Sequence, residues 1–83
     1  MKKITAKVKK LPVEKIPIST PFIKLDSFLK LSGAVMTGGE AKAVVLDGCV
    51  RVNGEPCLAR GKKLHPGDSV RFSGRIYEVI AEE

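Results

Sequence analysis

A short glycine-containing segment in the middle of the chain has the composition of an anion-binding site. Thr37 and Glu40 have the S/T-x-x-E spacing of a capping box, which predicts that a helix begins here. Gly38 and Gly39 then occupy its first turn, although glycine inside a helix costs about 1 kcal/mol relative to alanine. The first turn leaves backbone N–H groups unpaired, and glycine lets an anion approach them. With Lys42 one turn later, the segment predicts a phosphate cradle formed by Thr37, the two glycine amides and Lys42.

A purely structural explanation of the two glycines is also open. Glycine permits a tight turn or a close contact between helices. Lys42 would then be an ordinary surface lysine. Both interpretations place the same demand on the fold, which is a helix that begins at Thr37.

Composition favours a small basic domain with a polyanionic partner. The chain has 83 residues, a net charge of +6 at pH 7 and enough apolar residues, 43%, for one modest core. Nucleic acid is the first candidate partner and an anionic membrane surface the second. Aromatic residues make up only 5% of the chain and tryptophan is absent, which argues against a sheet that stacks several single-stranded bases on exposed rings.

The sequence predicts no disulfide bond, no metal site and no membrane-spanning segment. Cys49, Cys57 and His65 do not have the spacing of a zinc motif, and two cysteines are few for a secreted disulfide scaffold. No apolar run approaches the roughly 20 residues that a membrane span needs, and no secretory signal follows the first lysines. We therefore expect a cytoplasmic protein without metal, cofactor or membrane association, and a monomer.

The pattern along the chain predicts two segments. Residues 1–22 are expected to form a basic N-terminal strand followed by a proline-rich extended stretch, within which Ile16 and Ile18 favour a short strand. The role of the N-terminal lysines is open between a wider binding footprint and protection of a sheet edge. Residues 23–83 are expected to form the compact part of a single domain.

Two short helices and several strands are predicted within residues 23–83. Leu25, Phe28 and Leu29 share one helix face, and Asp26 precedes Lys30 by four residues, which predicts a surface ion pair. The second helix buries a stripe that begins at Ala41. The remaining residues alternate as strands, with turns at Asn53-Gly54, His65–Asp68 and Ser73-Gly74 and a basic loop at 60–63. The predicted class is α+β, with both helices packed on one face of a small, mostly antiparallel sheet. Arg71 and Arg75 are predicted on the sheet face opposite to Arg51.

These elements, in this order, resemble the S4 RNA-binding domain and its αL motif over about residues 23–72. The resemblance rests on four short motifs: Lys24-Leu25-Asp26-x-x-Leu29, Glu40-Ala41-Lys42, Gly48-x-Val50-x-Val52-Asn53-Gly54 and Pro66-Gly67-Asp68-x-Val70. Small stand-alone bacterial S4-like proteins carry a helix start similar to Thr37–Lys42. Many S4 domains have arginine where this chain has Lys24, and Ser-Arg where it has Thr37-Gly38-Gly39.

The resemblance implies binding of structured RNA, such as ribosomal RNA, tRNA or a ribosomal subunit. It places the RNA face on the two helices and on the strand and turn behind them. Lys24 matches the family's basic position, and Arg51 offers bidentate phosphate contacts beside the hairpin turn. The loop residues Arg60, Lys62 and Lys63 follow that hairpin and are expected to track phosphates. The expected RNA-binding set is Lys24, Thr37, Gly38, Gly39, Lys42, Arg51, Asn53, Arg60, Lys62 and Lys63, with Asn53 also suited to a left-handed turn position.

Two other function classes are consistent with a small basic domain. One is a protein-interaction module and the other a DNA-binding accessory protein, since basic charge alone does not distinguish RNA from DNA. An enzyme is not expected, because the chain has no nucleophile paired with a base, no acidic metal cluster and no P-loop spacing after Gly38.

Overall fold

Two short helices and seven short strands make up the part of the chain that the computed structural model describes, which is residues 11–82. The strand predicted within residues 1–10 lies outside the described residues, together with its lysines. The elements are β1 (Val13–Ile18), β2 (Ile23–Lys24), α1 (Leu25–Leu31), α2 (Gly38–Leu46), β3 (Arg51–Val52), β4 (Glu55–Pro56), β5 (Lys63–Leu64), β6 (Ser69–Phe72) and β7 (Arg75–Ala81).

The strands form a five-stranded sheet and a separate two-stranded ribbon. The sheet has the order β1-β7-β6-β3-β4, and the ribbon pairs β2 with β5. All pairings are antiparallel except that of β1 with β7. Pro56 lies in β4 at the edge of the sheet, where its missing N–H breaks no ladder. The predicted α+β class with a mostly antiparallel sheet is confirmed.

The first helix buries the face that its apolar spacing predicts. Leu25, Phe28 and Leu29 are fully buried. The helix ends at Ser32, and Gly33 follows with a φ of +80°, the left-handed conformation that glycine adopts without strain. The predicted ion pair between Asp26 and Lys30 does not form. The Asp26 carboxylate instead accepts a hydrogen bond from the Ser27 N–H at 2.8 Å.

The core lies between the helices and the inner face of the sheet. Val52, Val70 and Tyr77 are successive cross-strand neighbours on that face, and all three are buried. The same register places Arg51 directly opposite Arg71, both on the outer face. The prediction that Arg71 lies on the opposite face from Arg51 is therefore wrong. Arg75 does lie on the other face, because its partner Phe72 is one residue after Arg71.

The N-terminal proline-rich segment contributes a strand to the main sheet. β1 contains Ile16 and Ile18, as predicted, and both are buried. Its partner β7 is the last strand, and the two run parallel, because the helices and hairpins between them provide the long crossover that a parallel pair requires. The predicted division of the chain at residue 22 stays a prediction. Neither helix of the described residues is long and apolar enough to cross a membrane.

The ribbon is fixed to the core by Leu64, and its loss should destabilise the domain. Leu64 is fully buried, whereas Leu58, a few residues earlier, is 60% exposed. Leu64→Ala should lower the free energy of unfolding by about 2–5 kcal/mol, and Leu58→Ala should change it by less than about 0.5 kcal/mol. Urea denaturation followed by circular dichroism measures both. Similar losses in the two variants would show that the ribbon is not packed as described.

Candidate nucleic-acid interface

The basic loop folds back onto the start of α1. The Leu25 N–H donates to the Lys62 carbonyl at 2.9 Å, and the Asp26 N–H donates to the Arg60 carbonyl at 3.0 Å. Lys24 is the N-terminal cap residue of α1, and no side chain caps this helix. The loop carbonyls therefore satisfy backbone groups that a capping side chain usually serves. This docking gathers four predicted residues, Lys24, Arg60, Lys62 and Lys63, here called the basic cluster.

Two lysines of the basic cluster lie directly opposite each other. Lys24 of β2 pairs with Lys63 of β5, and both side chains are exposed. Like charges at directly opposed positions of an antiparallel ladder are destabilising. The ion pairs among the described residues join Arg75 to Glu14 and His65 to Asp68, so neither lysine has a carboxylate partner there. The arrangement concentrates positive charge at the surface, where it attracts a polyanion.

The second helix begins with the predicted cap in a slightly altered form. The Thr37 hydroxyl accepts a hydrogen bond from the Glu40 N–H at 3.1 Å. The Glu40 carboxylate accepts from the Met36 N–H at 3.0 Å, one residue before the position that a standard capping box uses. The cap thus occupies the acceptor side of the Thr37 hydroxyl, while the hydroxyl proton is still able to donate.

Gly38 and Gly39 are not required by the fold. Neither has the positive φ that favours glycine. A Cβ at Gly38 would meet nothing within 4 Å, and one at Gly39 would meet only the Thr37 hydroxyl oxygen, at 4.0 Å. The structural explanations by a tight turn or close helix contact therefore do not apply. Both glycines are exposed, and their N–H groups have no acceptor within residues 11–82.

The two helix starts differ in what their backbone can bind. In α1 the first three N–H groups are satisfied by the Lys62 carbonyl, the Arg60 carbonyl and the Asp26 side chain. In α2 the third is capped by Thr37, and those of Gly38 and Gly39 are open to solvent. Lys42 is exposed one turn after Gly38. Of the two helix starts, α2 is the one whose amides and nearby cation are able to hold an anion.

The two hairpin residues of the predicted set, Arg51 and Asn53, make no hydrogen bond to the basic cluster within the described part of the chain. Arg51 projects from the outer sheet face, opposite Arg71, and its guanidinium donates to the Gly54 carbonyl at 3.3 Å. Asn53 has a φ of +52°, as its turn position predicts. No hydrogen bond among residues 11–82 joins this hairpin, the start of α2 and the basic cluster to one another.

The Asn53 side chain holds two turns together. Its amide nitrogen donates to Asp68 at 3.1 Å, and its amide oxygen accepts from the Ser69 N–H at 2.9 Å. The other Asp68 oxygen accepts from the His65 N–H at 2.8 Å. That backbone hydrogen bond is the main reason why the pKa of Asp68 lies below its ordinary value, with help from Asn53 and the positive charges of His65 and Lys62. Asn53 and Asp68 thus position the hairpin against the loop that follows β5.

Two aromatic side chains beside the basic cluster, Phe22 and His65, were not among the residues predicted to bind RNA. Phe22 precedes β2, and its ring centroid lies 4.8 Å from the Lys63 ammonium and 6.1 Å from the His65 ring centroid. Phe22 is 36% exposed, although it is a large apolar residue. Sequence reasoning missed this contact because it depends on the pairing of β2 with β5, which local patterns do not reveal.

Comparison with known proteins identifies the family. The S4 domain family model matches residues 16–80. The chain belongs to the S4 domain family. It is 44% identical over 59 residues to the "Probable ribosome maturation protein RlbA" of Bacillus subtilis, a match that covers 71% of this chain and 83% of that protein. It is also 33% identical over 61 residues to YbcJ of Escherichia coli, covering 74% of this chain and 87% of YbcJ.

A solved structure shares the fold of this S4 domain. The solution structure of Escherichia coli YbcJ, described as revealing an alfaL motif involved in RNA-binding, superposes with a TM-score of 0.61 at 25% sequence identity. The superposition covers 95% of this chain and 99% of YbcJ. The S4-like fold expected from the sequence is confirmed.

The lowered pKa of Asp68 predicts how the stability of this S4 domain depends on pH. Because the pKa of Asp68 in the folded protein lies below its ordinary value, the carboxylate stabilises the fold at pH values above the ordinary pKa and loses this contribution as the pH falls through the folded-state pKa. The two Asp68 oxygens accept hydrogen bonds from the Asn53 amide and the His65 N–H. In Asp68→Asn one of these oxygens is replaced by an N–H₂ group, so one of the two hydrogen bonds is lost. The substitution should cost about 1 kcal/mol at pH 7.

Urea denaturation at pH 7 and near pH 2 tests this prediction. The difference in unfolding free energy between wild type and Asp68→Asn should shrink at the lower pH, because protonation of the Asp68 carboxylate removes the charge that the variant also lacks. Glu55→Gln, an exposed carboxylate on β4, is the control and should show little difference at either pH. An equal loss for Asp68→Asn at both pH values would contradict a contribution from the charge.

Proposed function

We propose that this S4 domain binds structured RNA without catalysis, and that its target is ribosomal RNA or an assembling ribosomal subunit. The observation that carries the proposal is the direct opposition of Lys24 and Lys63, two exposed cations with no described carboxylate partner. Such a pair costs stability in the free protein and gains it when a phosphate lies between or beside the ammonium groups. The other residues of the basic cluster, Arg60 and Lys62, extend the charge along the same loop.

The start of α2 supplies a second phosphate position in this proposal. The Gly38 and Gly39 amides donate to one phosphate, the Thr37 hydroxyl proton adds a third donor, and Lys42 adds a charge one turn away. Arg51, at the hairpin on the outer face of the sheet, is a further contact. Asn53 acts by positioning that hairpin, because both ends of its amide are occupied.

The choice of RNA as the partner is supported by the family and by its named members. YbcJ is described as carrying a motif involved in RNA-binding, and the Bacillus subtilis relative is named for ribosome maturation. A ribosomal target fits a surface that recognises phosphates and shape with limited sequence reading. A monomer acting in the cytoplasm is part of the same proposal.

Salt dependence of RNA affinity tests the role of the basic cluster. Filter binding of a structured ribosomal RNA fragment should give a log–log slope of about −3.5 to −4.5 for roughly five phosphate contacts. Lys24→Gln and Lys63→Gln should each make the slope shallower by about 0.7–0.9. Neither should lower the unfolding midpoint, because each relieves a like-charge opposition. Lys15→Gln, on the outer face of β1, is the matched control and should leave the slope unchanged.

Titrations against duplex DNA and single strands, run beside the RNA, separate the rival functions. Equal affinity for all three polymers would favour a general DNA- or RNA-binding accessory protein. A flat salt response, or no binding to any polymer, would contradict the proposal and favour a protein-interaction module.

For the phosphate cradle, we predict opposite effects of alanine substitution at Gly38 and Gly39 on protein stability and on RNA binding. Gly38→Ala with Gly39→Ala places two methyl groups in open space, so the unfolding free energy should stay equal or rise by up to about 1 kcal/mol. The same methyl groups hold a phosphate away from the amides, and RNA affinity should fall roughly tenfold, the loss of one charge-assisted hydrogen bond. Gly38→Val with Gly39→Val should lower affinity further.

Melting curves and filter binding on the same preparations make the comparison. Lys42→Gln should weaken binding through the same site. Full affinity in folded alanine and valine variants would remove the start of α2 from the interface while leaving the basic cluster in place.

A further inference from the structure

The exposed face of the β2–β5 ribbon carries two cations and two rings side by side. Ile23 pairs with Leu64, and these residues point toward the core. Because successive side chains alternate between the faces of a strand, Phe22 and Lys24 lie on the other face. They are joined there by Lys63 and His65. The ring contacts agree with this placement, since Lys63 and His65 both lie against Phe22.

Phe22 is held in a defined place although it is exposed. Pro21 precedes it, and the Thr20 hydroxyl donates to the Phe22 carbonyl at 2.7 Å. The ring planes of Phe22 and His65 are inclined by 52°, so the two rings form an angled surface rather than a stack. The His65 side chain is itself 60% exposed. An exposed ring fixed beside cations that have no carboxylate partner among residues 11–82 is a surface suited to a ligand that is both flat and anionic.

We propose that Phe22 and His65 form a stacking position for one unpaired nucleobase, whose flanking phosphates bind Lys24 and Lys63. This inference rests on the proposed function and adds to it a preference for RNA with an unpaired nucleotide beside a helix. Single-stranded bases are bound in this way, by aromatic faces combined with a basic track along the backbone. The small aromatic content of the chain is compatible with one such position.

Lys63 moves from the ring to the phosphate when the base binds. In the free protein its ammonium occupies the Phe22 ring at 4.8 Å, a cation–π contact at an exposed site. A base–aromatic stack is the stronger of the two interactions, and the displaced ammonium gains a charge-assisted contact with phosphate. The exchange therefore favours the bound state.

The test uses two RNA hairpins that differ only in an unpaired 3′ adenosine overhang. Wild type should bind the overhang hairpin more tightly than the blunt one. Phe22→Leu keeps the apolar bulk and removes the aromatic face, so it should lose roughly 5- to 150-fold in affinity for the overhang hairpin, the range for one base–aromatic stack. Its affinity for the blunt hairpin should stay unchanged. Leu46→Ala, an exposed apolar residue at the far end of α2, is the control for lost surface area.

A structural readout accompanies the affinities. In NMR spectra, the ring protons of Phe22 and His65 should shift upfield on addition of the overhang hairpin, through the ring current of the base. The blunt hairpin should not produce this shift. Melting curves of Phe22→Leu and Leu46→Ala check that both variants are folded.

The outcomes separate this inference from the proposed function. Salt-dependent binding of both hairpins with no overhang preference, or with a preference that survives in Phe22→Leu, would overturn the stacking position and leave the phosphate interface standing. Binding of neither hairpin by wild type would overturn both.

Discussion

The placement of the basic residues depends on one backbone docking, that of the loop after β4 onto the start of α1. The carbonyls of Arg60 and Lys62 accept the first two N–H groups of the helix, and Leu64 then enters the core. Because these contacts use the backbone, the side chains of the same residues are left free to face solvent. A helix start without a capping side chain and a loop rich in cations are thus parts of one arrangement.

Because of this docking, the starts of α1 and α2 differ in which backbone N–H groups remain available to a ligand. The first amides of α1 are hydrogen-bonded within the fold, which leaves exposed lysine and arginine side chains at that end of the helix. At the start of α2, the N–H groups of Gly38 and Gly39 remain accessible, because the Thr37 cap satisfies only the Glu40 N–H and the glycines have no side chain to block an approaching anion. In the proposed interface, a phosphate at the start of α1 would meet flexible charged side chains, whereas one at the start of α2 would meet fixed backbone dipoles. The two positions differ accordingly in how strongly salt should affect them.

Much of the fold follows from local chemistry. The buried face of α1, the Thr37 cap and the left-handed Asn53 were all predictable, because each depends on residues within a few positions of one another. The pairing of β2 with β5 joins Ile23 to Leu64, far apart in the chain, and no local pattern contains it. The face of Arg71 was predicted wrongly for the same reason, since it is set by the register with β3. Asp26 was assigned to Lys30 by spacing alone, whereas the backbone N–H of Ser27 is a nearer donor.

Departures from local rules concentrate at the surface for which binding is proposed. Two glycines open a helix with no steric need for either, two lysines oppose each other across a ladder, and Phe22 is exposed beside them. Each costs stability in a domain too small to have much in reserve. The buried core residues, such as Phe28 and Val70, follow the local rules of helix and strand patterning. The departures are therefore confined to the exposed surface. Natural chains keep such local conflicts mainly at functional sites, where a ligand that binds only the folded state restores the lost stability. The cost of the unliganded surface is therefore itself an argument that an anionic partner occupies it.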